Sequence, residues 1–317
     1  MRGGLEVVNT TKTSIVEPSL HNYTKKTYSY LSKVRIYSDS LVDVQPLVDI
    51  VALTLQTAFV TDNVDGYRPA SLLLIAKPES GKTTTIKEFD MLPFVYYSDE
   101  ISVKPLIDRV FPKIQTKEIR FILISDILNS IKKQASTKEP LIHTLKSLVD
   151  EGVKNIDTYH KHYTFKTRIK AGLITGITRS ELYASQGRYS IYSDFKRYGF
   201  LSRLIPFTYE YPIDRLDKIF HYVMSGKGED SNVLIPKIRQ FKKEKKYELN
   251  EKLFSRLQRI STELGQYSDS YGIRVQKNLQ KLCYANALLN KRSYVASEDI
   301  EKILYLSRWM NFKFNPL

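Results

Sequence analysis

Leu72 to Ala76 form an unbroken apolar run, and the residues after it, Lys77-Pro78-Glu79-Ser80-Gly81-Lys82-Thr83, change character at once. A short continuous apolar run is what a central parallel strand, buried on both faces, looks like. Pro and Gly then mark a loop, and a helix is expected from near Lys82. Further short runs, Phe94 to Tyr97, Arg120 to Ile124 and Ala171 to Thr175, alternate with stretches of helical spacing. Strands alternating with helices predict a parallel sheet covered by helices, so residues 41–212 are expected to form an α/β core.

The loop matches the pattern G-x-x-x-x-G-K-[ST] except at its first position, where Ala76 stands. Between an apolar strand and a helix start, such a loop turns successive backbone N–H groups toward a phosphate. Lys77, Pro78, Glu79, Ser80, Gly81, Lys82, Thr83 and Thr84 are therefore the expected ATP-binding residues. Lys82 would neutralise charge on the β- and γ-phosphates, and the Thr83 hydroxyl would hold Mg2+. An NTPase also needs an acid on a neighbouring strand. Phe121-Ile122-Leu123-Ile124-Ser125-Asp126 offers Asp126, as metal ligand, water-orienting base or both, while Ser125 stands where a magnesium-binding Asp would precede a catalytic Glu.

Before the core, Leu41, Val44, Leu47, Val48, Val51, Leu55 and Phe59 recur at helical spacing and predict a helix over 41–60 that packs on it. Residues 1–40 are polar, rich in Tyr and Lys, and read as a basic N-terminal extension. Past Tyr211-Pro212 strand signals vanish, and Leu253 to Leu264 and Val275 to Leu289 carry apolar residues three and four apart, so 213–317 is expected to be an all-helical domain. Phe241 to Lys246 reads first as a solvated charged face.

With 49 Lys and Arg against 34 Asp and Glu, the formal net charge is +15, which suits a polyanionic partner such as DNA or RNA. No apolar run approaches the roughly 20 residues needed to cross a bilayer, so no membrane partner and a cytoplasmic location are expected. One cysteine, Cys283, excludes an intrachain disulfide framework and reads as a packed helix residue.

Around the loop the chain resembles the AAA+ ATPases, in the branch that holds the minichromosome-maintenance (MCM) helicases and the MoxR and magnesium-chelatase ATPases. Leu148 to Ile156, through Tyr159-His160-Lys161-His162-Tyr163 to Thr164-Phe165-Lys166-Thr167-Arg168-Ile169, is similar to the β-hairpin that precedes sensor 1 there. On that resemblance the hairpin occupies about 153–170, and Thr178 is similar to the sensor-1 residue, with Thr175 as the fallback. In MCM-type motors the hairpin carries a basic residue to DNA, which nominates Lys161. Lys154, Lys161, Lys166 and Arg168, interleaved with aromatic and His residues, fit a nucleic-acid contact on their own chemistry.

Gly199-Phe200-Leu201-Ser202-Arg203-Leu204 is similar to the segment that carries the arginine finger, which implies that Arg203 reaches the ATP of a neighbouring subunit. Gly272-Ile273-Arg274-Val275 is similar to the start of the sensor-2 helix, with Arg274 on the γ-phosphate. Tyr294 to Ile300 resembles the end of such a helical lid, with Ser297 as a helix N-cap. The resemblance implies a catalytic set of Lys82, Asp126, Thr178, Arg203 and Arg274, and a homo-oligomer, with a hexameric ring as the family expectation. It further implies an ATP-driven motor or switch acting on DNA, such as an MCM-like helicase or helicase loader. A MoxR-like protein-remodelling chaperone and an ATP-dependent assembly switch with little turnover are the alternatives.

Overall fold

Apolar side chains at every position of Leu72–Ala76 and Phe121–Ile124 are buried, as strands covered on both faces require. The computed structural model describes residues 35–37, 41, 43–63, 65–132, 135–157, 162–184, 190–211, 213–225, 233–266 and 272–313. The extension expected over 1–40 therefore lies outside the described residues, apart from 35–37.

In chain order, helix α1 (Gln45–Gln56) leads through a 3-10 turn to β1 (Val60–Thr61), then β2 (Leu72–Ala76) and α2 (Lys82–Lys87). Next come β3 (Val95–Ser98), α3 (Phe111–Gln115), β4 (Phe121–Ile124), α4 (Ile127–Ile131) and α5 (Ala135–Val149). The hairpin strands β5 (Val153–Asp157) and β6 (His162–Ile169) follow, then β7 (Gly172–Thr178), α6 (Arg179–Tyr183), α7 (Ile191–Arg197) and β8 (Ile205–Phe207). The remainder comprises α8 (Leu216–Ser225), β9 (Leu234–Pro236), β10 (Lys245–Lys246), α9 (Glu251–Gln266), α10 (Ile273–Leu289) and α11 (Ser297–Ser307).

Five strands pair in the order β3-β4-β7-β2-β8, all parallel. The register sets Ala76 beside Thr178 at one edge, and Leu72 beside Ile205 at the other. Roughly 13 Å of strand separates those two edges at about 3.3 Å per residue. Strand β8 gives no strand signal in the sequence, because it is three residues long and contains Pro206. Its place next to β2 only, at the end of the order, is where a proline without an N–H can be accommodated.

Helix α1 is buried from Pro46 through Gln56 rather than along one stripe. It packs between the sheet and α10, in one hydrophobic core with Leu72, Leu74, Leu279, Leu282 and Leu288. Each such aliphatic side chain contributes about 1.5–3 kcal/mol when fully buried. Gln56, caught in that interior, is matched: it donates to the Arg239 carbonyl at 2.9 Å and accepts its N–H at 2.7 Å.

The C-terminal region departs from expectation in two ways. It is not all helical, since β9 and β10 interrupt it, and β10 pairs in parallel with β1. Nor does it stand apart, for residues Ile36–Leu317 form one compact unit. Its helices close the core over α1 because α1 has no solvent face of its own. Ser297 is the first residue of α11 rather than its cap; Ala296 takes that position, and the buried Asp299 carboxylate accepts the Ala296 N–H at 2.8 Å. Cys283 is fully buried in α10, which pushes its thiol pKa well up. Among the described residues no helix is long and apolar enough to cross a membrane.

Candidate nucleotide site and arginine pair

The loop between β2 and α2 turns back sharply. Glu79 and Gly81 both have left-handed backbone, at φ 61° and 76°. Two such residues so close together make a concave run of N–H groups, the form that receives an anion. The first helical bond runs from Thr85 N–H to Gly81 carbonyl, so the N–H groups of Lys82, Thr83 and Thr84 stand outside the ladder. The left-handed turn favours glycine at position 81, where a Cβ would also press to 3.2 Å from the Tyr211 hydroxyl.

Lys82 is buried, and its ammonium donates to Lys77 O at 2.7 Å, Ser80 Oγ at 3.1 Å and Ala76 O at 3.2 Å. All three acceptors are neutral. Burial pushes its pKa down, and the carboxylates of Asp126, Glu181 and Glu210 pull it back up. Thr83 and Thr84, like Lys77, Pro78 and Glu79, are exposed, whereas Ser80 is buried. These residues fit a Mg-bound triphosphate: a cationic loop, an exposed hydroxyl on Thr83 and a half-buried acid at Asp126.

Asp126 caps α4, its Oδ1 accepting Leu128 N–H at 2.9 Å. Burial pushes its pKa up, the Leu128 hydrogen bond works against that, and Glu181 adds to it. Ser125 donates to Asp99 at 2.9 Å, so an acid from the end of β3 stands beside the serine. Gly176 lets β7 lie against this point, since a Cβ there would come 2.8 Å from Ser125 O and 4.0 Å from Lys82 Cβ.

Thr178 ends β7 beside Ala76 and caps α6, accepting Glu181 N–H at 3.3 Å and donating to Glu181 Oε2 at 2.6 Å. The fallback, Thr175, is fully buried directly opposite Ile124 in the sheet register, with its hydroxyl unpaired among the described residues. Two carboxylates were missed from sequence. Glu181 is the last residue of a Thr-x-x-Glu pattern that is legible in the chain, although its carboxylate accepts the Thr178 hydroxyl rather than the Thr178 N–H. Glu210 brackets the loop by pairing with Arg179 at 3.0 Å and Lys77 at 3.4 Å, a meeting of residues far apart that no local pattern announces.

Arg203 and Arg274 come together, but not at Lys82. Arg203 ends the 3-10 turn just before β8, so it lies at the edge of the sheet opposite the loop. Its Nε is 3.0 Å from Asp150 Oδ2, a charge contact poorly aligned for hydrogen bonding. Arg274 places Nη2 at 3.2 Å from the same oxygen and Nη1 at 3.4 Å from Ser202 Oγ. The expectation that Arg274 meets the γ-phosphate thus finds no support at its own chain's loop, because α10 starts at the far edge.

The hairpin is present, with Asn155 opposite Thr164 and Asp157 opposite His162. Phe165 anchors it edge-on against Phe111, and Tyr163 donates to Asp108 at 2.6 Å. Lys154, Lys166 and Arg168 are exposed along it; Lys161 lies outside the described residues. Its first strand begins three residues after Asp150.

No protein-family model matches this chain, and no curated protein sequence matches it. Within the described residues the chain is an α/β protein whose five-stranded parallel sheet carries a phosphate-loop-like turn at one edge and an arginine pair at the other.

Proposed function

We propose that the chain is an AAA+ ATPase that binds Mg-ATP at Lys77 to Thr84 and hydrolyses it where subunits meet, to drive a motor or switch acting on DNA. The observation that carries this reading is the buried Lys82, which donates only to neutral oxygens at the tip of a strand-loop-helix turn while acids stand around it. Mg2+, held by Thr83 and Asp126, would neutralise charge on the phosphates. The order β3-β4-β7-β2-β8, with the Thr178 strand between the loop strand and the Asp126 strand, suits the same reading.

The edge-to-edge separation supports assembly. Arg203 and Arg274 lie about a strand's length from the loop of their own chain, a placement that suits contact with the nucleotide of another copy. A ring, with a hexamer as the family expectation, would bring each arginine pair to a neighbour's loop. Because Asp150 holds both arginines at the base of the basic hairpin, movement at that interface would reach Lys154, Lys166 and Arg168.

Ser125 in place of an acid favours a second reading, an assembly switch that turns over slowly. Steady-state ATP hydrolysis with and without single- and double-stranded DNA, beside Lys82→Ala at matched salt, separates the two. DNA-stimulated turnover that Lys82→Ala abolishes is expected. ATP-bound oligomers with negligible turnover support the switch, and turnover indifferent to DNA supports a protein-remodelling chaperone.

A further inference from the structure

Hydrolysis at such a site needs two acidic tasks done, holding a cation and taking a proton from water, and Ser125-Asp126 offers one carboxylate for both. The chain fold supplies another. Glu181 lies in α6, three residues past the end of β7, so it stands at the same sheet edge as Ala76 and Asp126, beyond the end of the strand that runs between theirs. Thr178 holds it from both ends, accepting its N–H and donating to its Oε2 at 2.6 Å. The other oxygen, Oε1, takes Lys132 Nζ at 3.2 Å in a pair open to solvent on the lysine side, so the carboxylate is oriented without being neutralised by a buried cation. Both Lys82 and Asp126 feel its charge, which places it within electrostatic reach of the loop.

We propose that Glu181 is the second acid of the site, orienting the attacking water and accepting its proton, with Thr178 as the residue that positions it and Asp126 left to the cation. This rests on the ATPase reading above. In the step, the water oxygen bonds to the γ-phosphorus while the bond from that phosphorus to the β–γ bridging oxygen breaks. The bonding pair leaves with ADP, and the water proton passes to the Glu181 carboxylate and then to solvent, which restores the glutamate.

Glu181→Gln tests the role without removing the helix cap, because the cap is made by Thr178 Oγ1 accepting the backbone N–H of residue 181, which Gln retains. Turnover should fall by about 10²-fold or more, the range for a lost general base. By calorimetry, the variant should bind a non-hydrolysable Mg-ATP analogue severalfold more tightly than the parent, with ADP affinity unchanged, because a negative charge facing the γ-phosphate has gone. Thr178→Val should lower turnover less and leave analogue affinity unchanged. Turnover of Glu181→Gln within about threefold of the parent overturns the assignment. So does weakened, less Mg-dependent analogue binding, which would make Glu181 a metal ligand, and so does a parent that binds ATP without turning it over. If the parent binds no ATP, or Lys82→Ala binds it as well as the parent, the ATPase reading fails and this assignment with it.

Discussion

Two lysines are buried among the described residues, and their surroundings differ. Lys281, in α10, is 1% exposed; its ammonium meets Asp62 at 3.3 Å and the Gly66 carbonyl at 2.6 Å. Around it Arg68 pairs with Asp65 and reaches Asn278 at 3.2 Å, and Lys277 meets Asp65 at 3.1 Å. That network ties α10 to the segment leading into β2. Lys82 is 8% exposed and has no ion-pair partner among the described residues; its donors go to neutral loop oxygens, with acids only in its wider field. Burial lowers the pKa of both, against the pull of nearby carboxylates. A buried charge matched by contact belongs to the fold, whereas one without a counter-charge in contact, at the mouth of a loop, is what the proposed anion site requires.

Substituting each lysine should separate the two roles. Lys82→Ala should abolish ATP binding in calorimetry while changing unfolding free energy by no more than about 1–2 kcal/mol. A variant that still binds ATP removes Lys82 from the site. Lys281→Met leaves Asp62 buried beside an apolar chain and should cost about 3–5 kcal/mol in denaturant unfolding, with ATP affinity retained in the folded fraction. If stability is unaltered, the network is not holding α10 down.

The comparison extends to the arginine pair, which is matched by contact yet lies at the opposite sheet edge. Arg203→Ala should leave ATP binding nearly intact and reduce turnover by about 10³-fold, as loss of a charge supplied from a neighbour does. Mixing this variant with Lys82→Ala should restore part of the activity, since intact loops and intact arginines then meet at mixed interfaces. Absence of both effects would return Arg203 to a purely structural pairing with Asp150. The smallest expected effect is on the hairpin: Lys166→Ala should weaken DNA binding and lower the salt slope by about one, with basal ATPase unchanged. Unchanged affinity would detach the hairpin from DNA.

What the sequence shows well is local. The β2 run, the turn chemistry of Lys77 to Gly81, the strands β3, β4 and β7 and helices α9 and α10 are each written in consecutive residues or in spacings of two, three and four, and they stand within a few residues of where those patterns put them, whereas the hairpin is expected from the family resemblance alone. Strand β8 is not legible because its stability comes from β2 alongside it rather than from Ile205-Pro206-Phe207. The run Phe241 to Lys246 reads as solvated charge, yet Glu244 pairs with the buried Arg120 at 2.7 Å. That partner lies 124 residues away, beyond the reach of any local pattern.

The sequence by itself therefore determined the turn of Lys77 to Lys82 and the alternation of strands and helices, because each is a property of neighbouring residues. Only the tertiary structure decided that Asp126, Glu181 and Glu210 act on Lys82 through their charge, that Arg203 and Arg274 share Asp150 at the far edge, and that the C-terminal helices close over α1. Those arrangements arise from strand order and register, which bring residues far apart in the chain to one edge of a sheet.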